Sequence, residues 1–260
     1  MELNRVVIAV PARIESSRLP KKVLADIEGE VMIKRVLKQC LKTKLTDEIF
    51  LCTDNEMIGK EGLEVNVNVI KTKKSCKSGS ERIASVIDKL TKSEIPLEKT
   101  LIINVQGDQP FLDPLIIDKL SEIFQKSKNK PEVITPIYQI NKKYIHNPNV
   151  VKTIIDSNGK VIYFSRSAVP YIRGTKECEW YKHFNYWGHV GIYGFRGDIL
   201  SKWNLLPKSK LENAEKLEQL RLIEAGINIF TFKVNGESLS VDTSEQLEMA
   251  RYFARKLKSN

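Results

Sequence analysis

Short apolar runs that alternate with amphipathic stretches are the feature that most constrains this fold. The first run, residues 6–10, is β-branched and as long as a buried parallel strand, and Pro11 is expected to end it because proline lacks a backbone donor. Further strands are predicted at 48–52, 65–70, 101–105 and 229–234, and helices at 31–45, 80–90, 114–126, 214–225 and from Thr243 onward. This alternation predicts an α/β fold, with a mostly parallel central sheet and helices on both faces.

The pattern changes between about residues 138 and 195. Predicted strands at 150–155 and 161–164 flank a turn-rich segment, 156–160, which is typical of a hairpin. We therefore predict one domain over 1–260 that carries a smaller antiparallel β insertion at about 138–195. The aromatic residues of this insertion favour either an interface or a local core, and they are Trp180, Tyr181, Phe184, Tyr186 and Trp187.

Composition excludes several classes of protein. The net charge of +10 favours an anionic ligand, but no nucleic-acid-binding signature accompanies the dispersed lysines, so no nucleic-acid partner is expected. The four cysteines form no CxxC pair and are expected to be free thiols in a reducing cytoplasm. No apolar run approaches the roughly 18 residues of a membrane span, and Met1 is not followed by an apolar leader. We expect a cytoplasmic protein with no membrane partner.

A basic loop follows the first predicted strand and contains Arg13, Arg18, Lys21 and Lys22. In open α/β sheets, ligands bind at the carboxyl ends of strands, where these cations would receive a polyphosphate. The alternative is a solvated basic loop without a ligand.

Two aspartates are candidate metal ligands. Asp108 follows the strand at 101–105 through Gln106 and Gly107, and Mg²⁺ commonly binds one or two carboxylates together with substrate phosphates. Asp242 precedes the last helix, where it is either a second ligand or the helix N-cap. Each aspartate also fits a turn or cap without a metal, and sequence alone does not bring the two together.

Ser78 and Arg82 lie at the start of a predicted helix, where they would bind an anion or a base edge, or simply cap the helix. His189 is either a donor to a polar ligand or a structural histidine, and the histidine spacing does not match a zinc site. The sequence also lacks the P-loop, the dinucleotide fingerprint and the nucleophile elbow, which disfavours P-loop kinases, classical dehydrogenases and α/β-hydrolases.

Taken together, ordered motifs over nearly the whole chain resemble the 3-deoxy-manno-octulosonate (Kdo) cytidylyltransferases, also called CMP-Kdo synthetases. The motifs are Pro11-Ala12-Arg13 through Ser17-Arg18-Leu19-Pro20 with Lys22, Ser78-Gly79 with Arg82, Asn104-Val105-Gln106-Gly107-Asp108, Asn147-Pro148-Asn149-Val150-Val151-Lys152, Tyr163-Phe164-Ser165-Arg166, His189-Val190-Gly191-Ile192-Tyr193, Leu217-Glu218-Gln219-Leu220-Arg221 and Val241-Asp242-Thr243.

The resemblance implies a nucleotidyltransferase fold, a homodimer and an insertion that serves sugar binding and dimerisation. It implies that CTP reacts with an acidic 2-keto-3-deoxy sugar to give the CMP-sugar and pyrophosphate, for lipopolysaccharide or another surface glycan. The anomeric hydroxyl would attack the α-phosphorus in line, with Mg²⁺ as cofactor. The catalytic residues that the resemblance implies are Arg13, Arg18, Lys22, Asp108 and Asp242, and the two aspartates would bind the metal. The residues implied to contact the nucleotide are Pro11, Ala12, Arg13, Lys22, Ser78, Arg82 and Gln106. Those implied to contact the sugar are Arg166, His189, Tyr193, Glu218 and Gln219.

Three residues depart from the family pattern. Lys21 stands where the family usually has glycine, Glu81 replaces an aspartate, and Lys77 lies where a His-Gln pair is common. The same reaction on 8-amino-Kdo or on a sialic-type acid is therefore an alternative. A nucleotide-binding regulator without catalytic activity is an alternative from a different class.

Overall fold

The computed structural model describes residues 4–16, 18–236 and 240–259, so Ser17 of the basic-loop motif lies outside the described residues. The chain forms two compact units. Within the described part, the first unit contains residues up to 130, residues 194–204 and the residues from 240 onward, and the second contains 131–193 and 205–236.

The strands in chain order are β1 Arg5–Ala12, β2 Glu48–Thr53, β3 Asn68–Lys71, β4 Thr100–Val105, β5 Val133–Gln139, β6 Lys152–Ile155, β7 Val161–Ser165, β8 Trp187–His189, β9 Ile192–Arg196 and β10 Ile229–Lys233. The α-helices are α1 Met32–Cys40, α2 Glu56–Glu64, α3 Gly79–Ala84, α4 Ile87–Leu90, α5 Pro114–Lys126, α6 Gly197–Ser201, α7 Lys210–Glu215, α8 Leu220–Glu224 and α9 Ser244–Ser259. These elements confirm the predicted α/β class.

The sheet of the first unit has the strand order β3-β2-β1-β4, and all three pairings are parallel. Every residue of β1 and of β4 is buried, which places the core along these two strands. The prediction that Pro11 ends the first strand is wrong, because β1 continues to Ala12. The register with β2 runs to Ala12, whereas that with β4 ends at Ala9, so the proline lies where a missing donor is tolerated.

The helices of the first unit correct several boundaries. Helix α1 ends at Cys40 rather than near residue 45, because the Asp118 carboxylate accepts hydrogen bonds from the backbone N–H groups of Lys44 and Leu45 in a following turn. The helix predicted at 80–90 is divided into α3 and α4. Helix α5 has the predicted bounds, since Asp113 caps it and Pro114 occupies its first turn.

Helix α2 was not predicted from the sequence. Asn55 caps it by accepting hydrogen bonds from the backbone N–H groups of the next turn, at 2.9 and 3.3 Å. Its two glycines weaken the helical signal. Gly62 is needed for packing, because a Cβ there would lie 2.7 Å from a methyl group of Leu51.

In the second unit, β10 pairs with β5 in parallel, whereas the β5–β8, β8–β6 and β6–β7 pairings are antiparallel. The predicted β6–β7 hairpin is confirmed, and Asp156 closes its turn by accepting hydrogen bonds from two backbone N–H groups. This unit is larger than the insertion expected at about 138–195, because it begins at residue 131 and includes β10. The helix predicted at 214–225 is instead divided into α7 and α8, with Lys216 in a left-handed conformation between them.

Aromatic side chains of the second unit divide between core and surface. Trp180 and Tyr186 are buried, whereas Tyr181 and Phe184 are exposed. Three of the four free cysteines are buried, and Cys178 is exposed. Within the described ranges, none of the helices combines the length and the apolar character that crossing a membrane requires.

Candidate active site

A cleft in the first unit opens where β1 and β4 end. It gathers every residue predicted to bind nucleotide or metal, and it is lined by Pro11, Ala12, Arg13, Glu15, Ser16, Arg18, Lys22, Val23, Ser78, Gly79, Arg82, Gln106, Gly107, Asp108 and Asp242. The ends of adjacent parallel strands meet at one edge of a sheet, which explains why the loops after β1 and β4 share this cleft.

Asp108 and Asp242 converge on one ammonium group in this cleft. Lys22 Nζ lies 2.6 Å from Asp108 Oδ2 and 2.7 Å from Asp242 Oδ1, and Arg18 Nη2 lies 3.1 Å from the same Asp242 oxygen. The Val241 backbone N–H donates to the Asp108 carbonyl at 2.9 Å, which ties the segment before α9 to the turn after β4. The structure thus brings together the two aspartates that the sequence left apart.

Charge at this cluster is strongly coupled. Burial alone would lower the pKa of Lys22, but the carboxylates of Asp108 and Asp242 outweigh burial, so the pKa is raised and the ammonium stays protonated. Asp242 is not the cap of the last helix, because Thr243 Oγ1 accepts the hydrogen bond from the Gln246 backbone N–H in the first turn of α9. The Asp242 carboxylate is therefore not used in capping α9, and it pairs with Lys22 and Arg18 in the cleft.

The donor set fits a divalent cation only in part. Among the described residues, no group of three or more His, Cys, Asp or Glu side chains is placed to hold a metal. Asp108 and Asp242 nevertheless supply two carboxylates to one position, and Mg²⁺ is typically bound by one or two carboxylates together with phosphate oxygens and waters. The two carboxylates fit the protein's share of such a site, and the remaining ligands would have to come from a nucleotide and water.

Arg13 and the start of α3 form another wall of the cleft. Arg13 Nη1 donates to the Lys77 carbonyl at 3.1 Å, and Ser78 caps α3 by accepting from the Glu81 backbone N–H at 3.2 Å. The Glu81 carboxylate accepts from the Lys77 backbone N–H at 3.0 Å, so this departure from the family pattern stabilises the turn. A Cβ on Gly79 would lie 2.9 Å from Gln106 Oε1, and glycine therefore permits this close approach.

Two polar chains behind this wall fix Arg82 and Gln106. The almost fully buried Arg82 pairs with Asp54 at 3.3 Å. Gln106 Nε2 donates to Asn104 Oδ1 at 3.0 Å, and Asn104 Nδ2 donates to Ser80 Oγ at 3.2 Å. Sequence reasoning assigned no role to Asp54. Like Asp108, however, it lies shortly after the carboxyl end of a strand, and this position could have identified it as a candidate site residue.

All five residues predicted to contact the sugar belong to the second unit. The ring of His189 lies 5.1 Å from that of Tyr193, and His189 Nε2 is 2.9 Å from the Thr135 hydroxyl. Burial lowers the pKa of His189 to about 3, so the imidazole is neutral near pH 7. Burial, and then the charge of Glu218, raise the pKa of Tyr193 well above its usual value. Gln219 is buried and directly precedes α8.

Arg166 follows β7 and is held by a different set of groups. Its Nε donates to the Glu215 carbonyl at 2.7 Å, and its Nη1 donates to the Pro148 carbonyl at 3.0 Å. Pro148 belongs to the Asn147–Lys152 motif, to which the sequence assigned no role. Both acceptors are backbone carbonyls, so these two bonds do not neutralise the positive charge of the Arg166 guanidinium.

Comparisons with known proteins agree with this geometry. The family model described as cytidylyltransferase matches residues 7–229. A 3-deoxy-manno-octulosonate cytidylyltransferase from Chlorobium phaeobacteroides (strain BS1) is 37% identical over 96% of this chain and 97% of the relative. The chain belongs to the 3-deoxy-manno-octulosonate cytidylyltransferase family. Another member with that name, from Porphyromonas gingivalis, is 35% identical over 97% of this chain and 98% of its own length.

Solved structures extend the comparison to the fold. A CMP:2-keto-3-deoxy-manno-octonic acid synthetase complexed with CTP matches with a TM-score of 0.87 and 34% identity, covering 97% of this chain and 99% of that chain. A 4-diphosphocytidyl-2C-methyl-D-erythritol synthase from Anaerococcus prevotii matches with a TM-score of 0.63 but only 13% identity, which shows a shared fold alone. The family and the predicted nucleotidyltransferase fold are confirmed.

Proposed function

We propose that this chain transfers the cytidylyl group of CTP to Kdo, an acidic 2-keto-3-deoxy sugar, and releases pyrophosphate. The observation that carries the proposal is the convergence of Asp108, Asp242, Lys22 and Arg18 in the cleft after β1 and β4. The names of the relatives, and the CTP with which the matching synthetase is complexed, supply the substrates. The CMP-sugar would serve the synthesis of lipopolysaccharide or another surface glycan.

In the reaction, the anomeric hydroxyl of the sugar attacks the α-phosphorus of CTP and the new P–O bond forms. The hydroxyl proton passes to solvent, and pyrophosphate leaves with the electron pair of the broken bond. Arg13, Arg18 and Lys22 bind the triphosphate, and their charges stabilise the negative charge that develops on its oxygens. Asp108 and Asp242 would hold Mg²⁺, which supplies further charge neutralisation at the phosphates when bound.

Nucleotide recognition is assigned to the inner wall of the cleft. Arg82 and Gln106 are held by buried partners before any ligand arrives, so their orientation costs little on binding. Ser78, Pro11 and Ala12 line the same wall and are assigned to the nucleotide.

The sugar is assigned to Arg166, His189, Tyr193, Glu218 and Gln219. Arg166 is suited to the carboxylate of the sugar acid, because a guanidinium binds a carboxylate through charge-assisted hydrogen bonds. The neutral imidazole of His189 and the protonated phenol of Tyr193 offer uncharged polar contacts to hydroxyl groups.

Pyrophosphate release from CTP and Mg²⁺, measured in parallel with Kdo, 8-amino-Kdo and a sialic acid, tests the proposal. We expect turnover with Kdo, and we expect Asp108→Asn and Asp242→Asn each to reduce it by about a thousandfold or more. Asp88→Asn, at an exposed position of α4, is the matched control and should retain full activity. Turnover with another acid only would change the substrate, and CTP binding without turnover would favour a nucleotide-binding regulator.

We further infer a cytoplasmic homodimer. The buried thiols of Cys40, Cys52 and Cys76 are compatible with a reducing compartment, and the exposed Tyr181 and Phe184 of the second unit provide apolar surface for a subunit contact. Sedimentation of the purified protein tests the dimer, and a monomer at all concentrations would contradict it.

A further inference from the structure

Lys152, the first residue of β6, is fully buried. Its Nζ donates hydrogen bonds to three backbone carbonyls, those of Asn147 at 2.9 Å, Val150 at 2.7 Å and Arg166 at 2.6 Å. Burying an ammonium is costly, and an apolar side chain of similar length would fill the same space without that cost. What the ammonium provides in return is three hydrogen bonds, which tie the loop 147–150 to the backbone of Arg166.

Glu215, the last residue of α7, holds the same arginine from another side. Its carboxylate accepts hydrogen bonds from the Ser165 hydroxyl at 2.8 Å and from the Arg166 backbone N–H at 2.9 Å. Its own carbonyl accepts from Arg166 Nε at 2.7 Å. Lys216 follows in a left-handed conformation with φ of 54°, and the chain then leads to Glu218 and Gln219. The Glu215 side chain thus fixes the backbone of Arg166, and Glu215 lies shortly before Glu218 and Gln219 in the chain.

Lys152 and Glu215 together hydrogen-bond both polar backbone groups of Arg166. Lys152 holds the Arg166 carbonyl, and Glu215 holds its N–H. Lys152 also hydrogen-bonds the loop that contains Pro148, and the Pro148 carbonyl accepts a hydrogen bond from Arg166 Nη1. Within the described residues, Nε and Nη1 have protein acceptors, whereas Nη2 has none, so Nη2 is the guanidinium nitrogen left for a ligand.

We propose that Lys152 and Glu215 are positioning residues that orient Arg166 toward the carboxylate of the sugar substrate. The proposal rests on the proposed function, in which Arg166 binds that carboxylate. Neither residue needs to touch the sugar, because each acts through the backbone or the guanidinium of Arg166. Loss of either one would allow Arg166 to adopt other orientations and would weaken sugar binding, while the nucleotide residues, which all belong to the first unit, keep their contacts.

Steady-state kinetics of pyrophosphate release, with Kdo and CTP varied separately, test this role. We expect Lys152→Met and Glu215→Gln each to raise the KM for Kdo by about tenfold or more, with kcat and the KM for CTP within about twofold of wild type. Lys160→Met, at an exposed position of the β6–β7 hairpin, is the matched control and should leave all three values unchanged.

A double-mutant cycle separates positioning of Arg166 from a direct or general structural role. If Glu215 acts through Arg166, adding Glu215→Gln to Arg166→Ala raises the KM for Kdo no further. A further rise of about tenfold in the double variant, or a wild-type KM in Glu215→Gln alone, would overturn the proposal. If thermal unfolding shows that Lys152→Met does not fold, the Glu215 cycle decides by itself.

Failure of the proposed function has a different signature. In that case the wild-type protein releases no pyrophosphate from CTP with Kdo, 8-amino-Kdo or a sialic acid. If the wild-type protein turns Kdo over and the variants keep its KM, only the positioning role is refuted.

Discussion

Replacing Lys22 by methionine tests whether its ammonium occupies the position of a metal ion. The lysine neutralises Asp108 and Asp242 at 2.6 and 2.7 Å, and all three side chains are only partly exposed, at 15%, 20% and 30%. Methionine keeps the chain length but removes the positive charge, which leaves Asp242 with Arg18 and deprives Asp108 of the ammonium. Without Mg²⁺, Lys22→Met should therefore be less stable than the wild-type protein.

The magnitude follows from the burial of these pairs. Removing one partner of a fully buried ion pair costs about 3–5 kcal/mol, and the partial exposure here reduces the expected loss to about 2 kcal/mol. For a chain of this size, that loss lowers Tm by about 4–8 °C. In the variant, Mg²⁺ binds the two carboxylates without competition from the Lys22 ammonium, and a concentration of about 100 times its Kd adds about 2.7 kcal/mol. Mg²⁺ should therefore restore the stability of Lys22→Met.

Thermal unfolding with and without Mg²⁺ is the assay, and no turnover is needed. We expect Mg²⁺ to raise Tm more in Lys22→Met than in the wild-type protein, where the ammonium competes for the same oxygens. Lys21→Met, which removes the adjacent exposed lysine, is the control and should respond as the wild type does. Equal shifts in all three proteins would refute the shared position, and no shift in any of them would refute the metal assignment.

Three further predictions concern other parts of the chain. Lys21 has φ of 52° where the family usually has glycine, so Lys21→Gly relieves about 1–2 kcal/mol of strain against about 0.5–1 kcal/mol of glycine entropy, and a lower urea midpoint would contradict the expected gain. Gly79→Ala places a Cβ 2.9 Å from Gln106 Oε1 and should raise the KM for CTP about tenfold, whereas an unchanged KM would rule out this contact. The pKa of His189 is lowered to about 3, so below about pH 6.5 the unfolded chain binds more protons than the folded one, and stability falls by about 2 kcal/mol between pH 7 and pH 5. His189→Gln should lack this part of the loss when urea titrations are compared at the two pH values. Identical pH dependence in both proteins would contradict the prediction.

Local sequence signals predicted the elements whose boundaries depend on their own residues. Helix α5 has the predicted bounds because Asp113 and Pro114 favour its start, and the last helix, predicted from Thr243 onward, begins at Ser244 with Thr243 as its cap. Strand β4 was found within one residue because its apolar run is buried along its whole length. The sequence could predict these features since a strand or cap is specified by residues within a few positions of it.

Boundaries that depend on distant contacts were missed. Helix α2 escaped because the use of Gly62 is apparent only against Leu51 of β2, and α1 was extended too far because the turn after it is held by Asp118 of α5. Lys216 separates α7 from α8 in a left-handed conformation, which a lysine in the sequence does not predict.

The motifs by themselves carried the resemblance to the family, and that resemblance implied the reaction and the residues of the candidate site. Only the tertiary structure decided that Asp108 and Asp242 share one ammonium, and that Lys152 and Glu215 hold Arg166. The physical reason is the path of the chain. A hydrogen bond from the Val241 N–H to the Asp108 carbonyl returns a distant segment to the end of β4, and no local pattern in the sequence encodes that return.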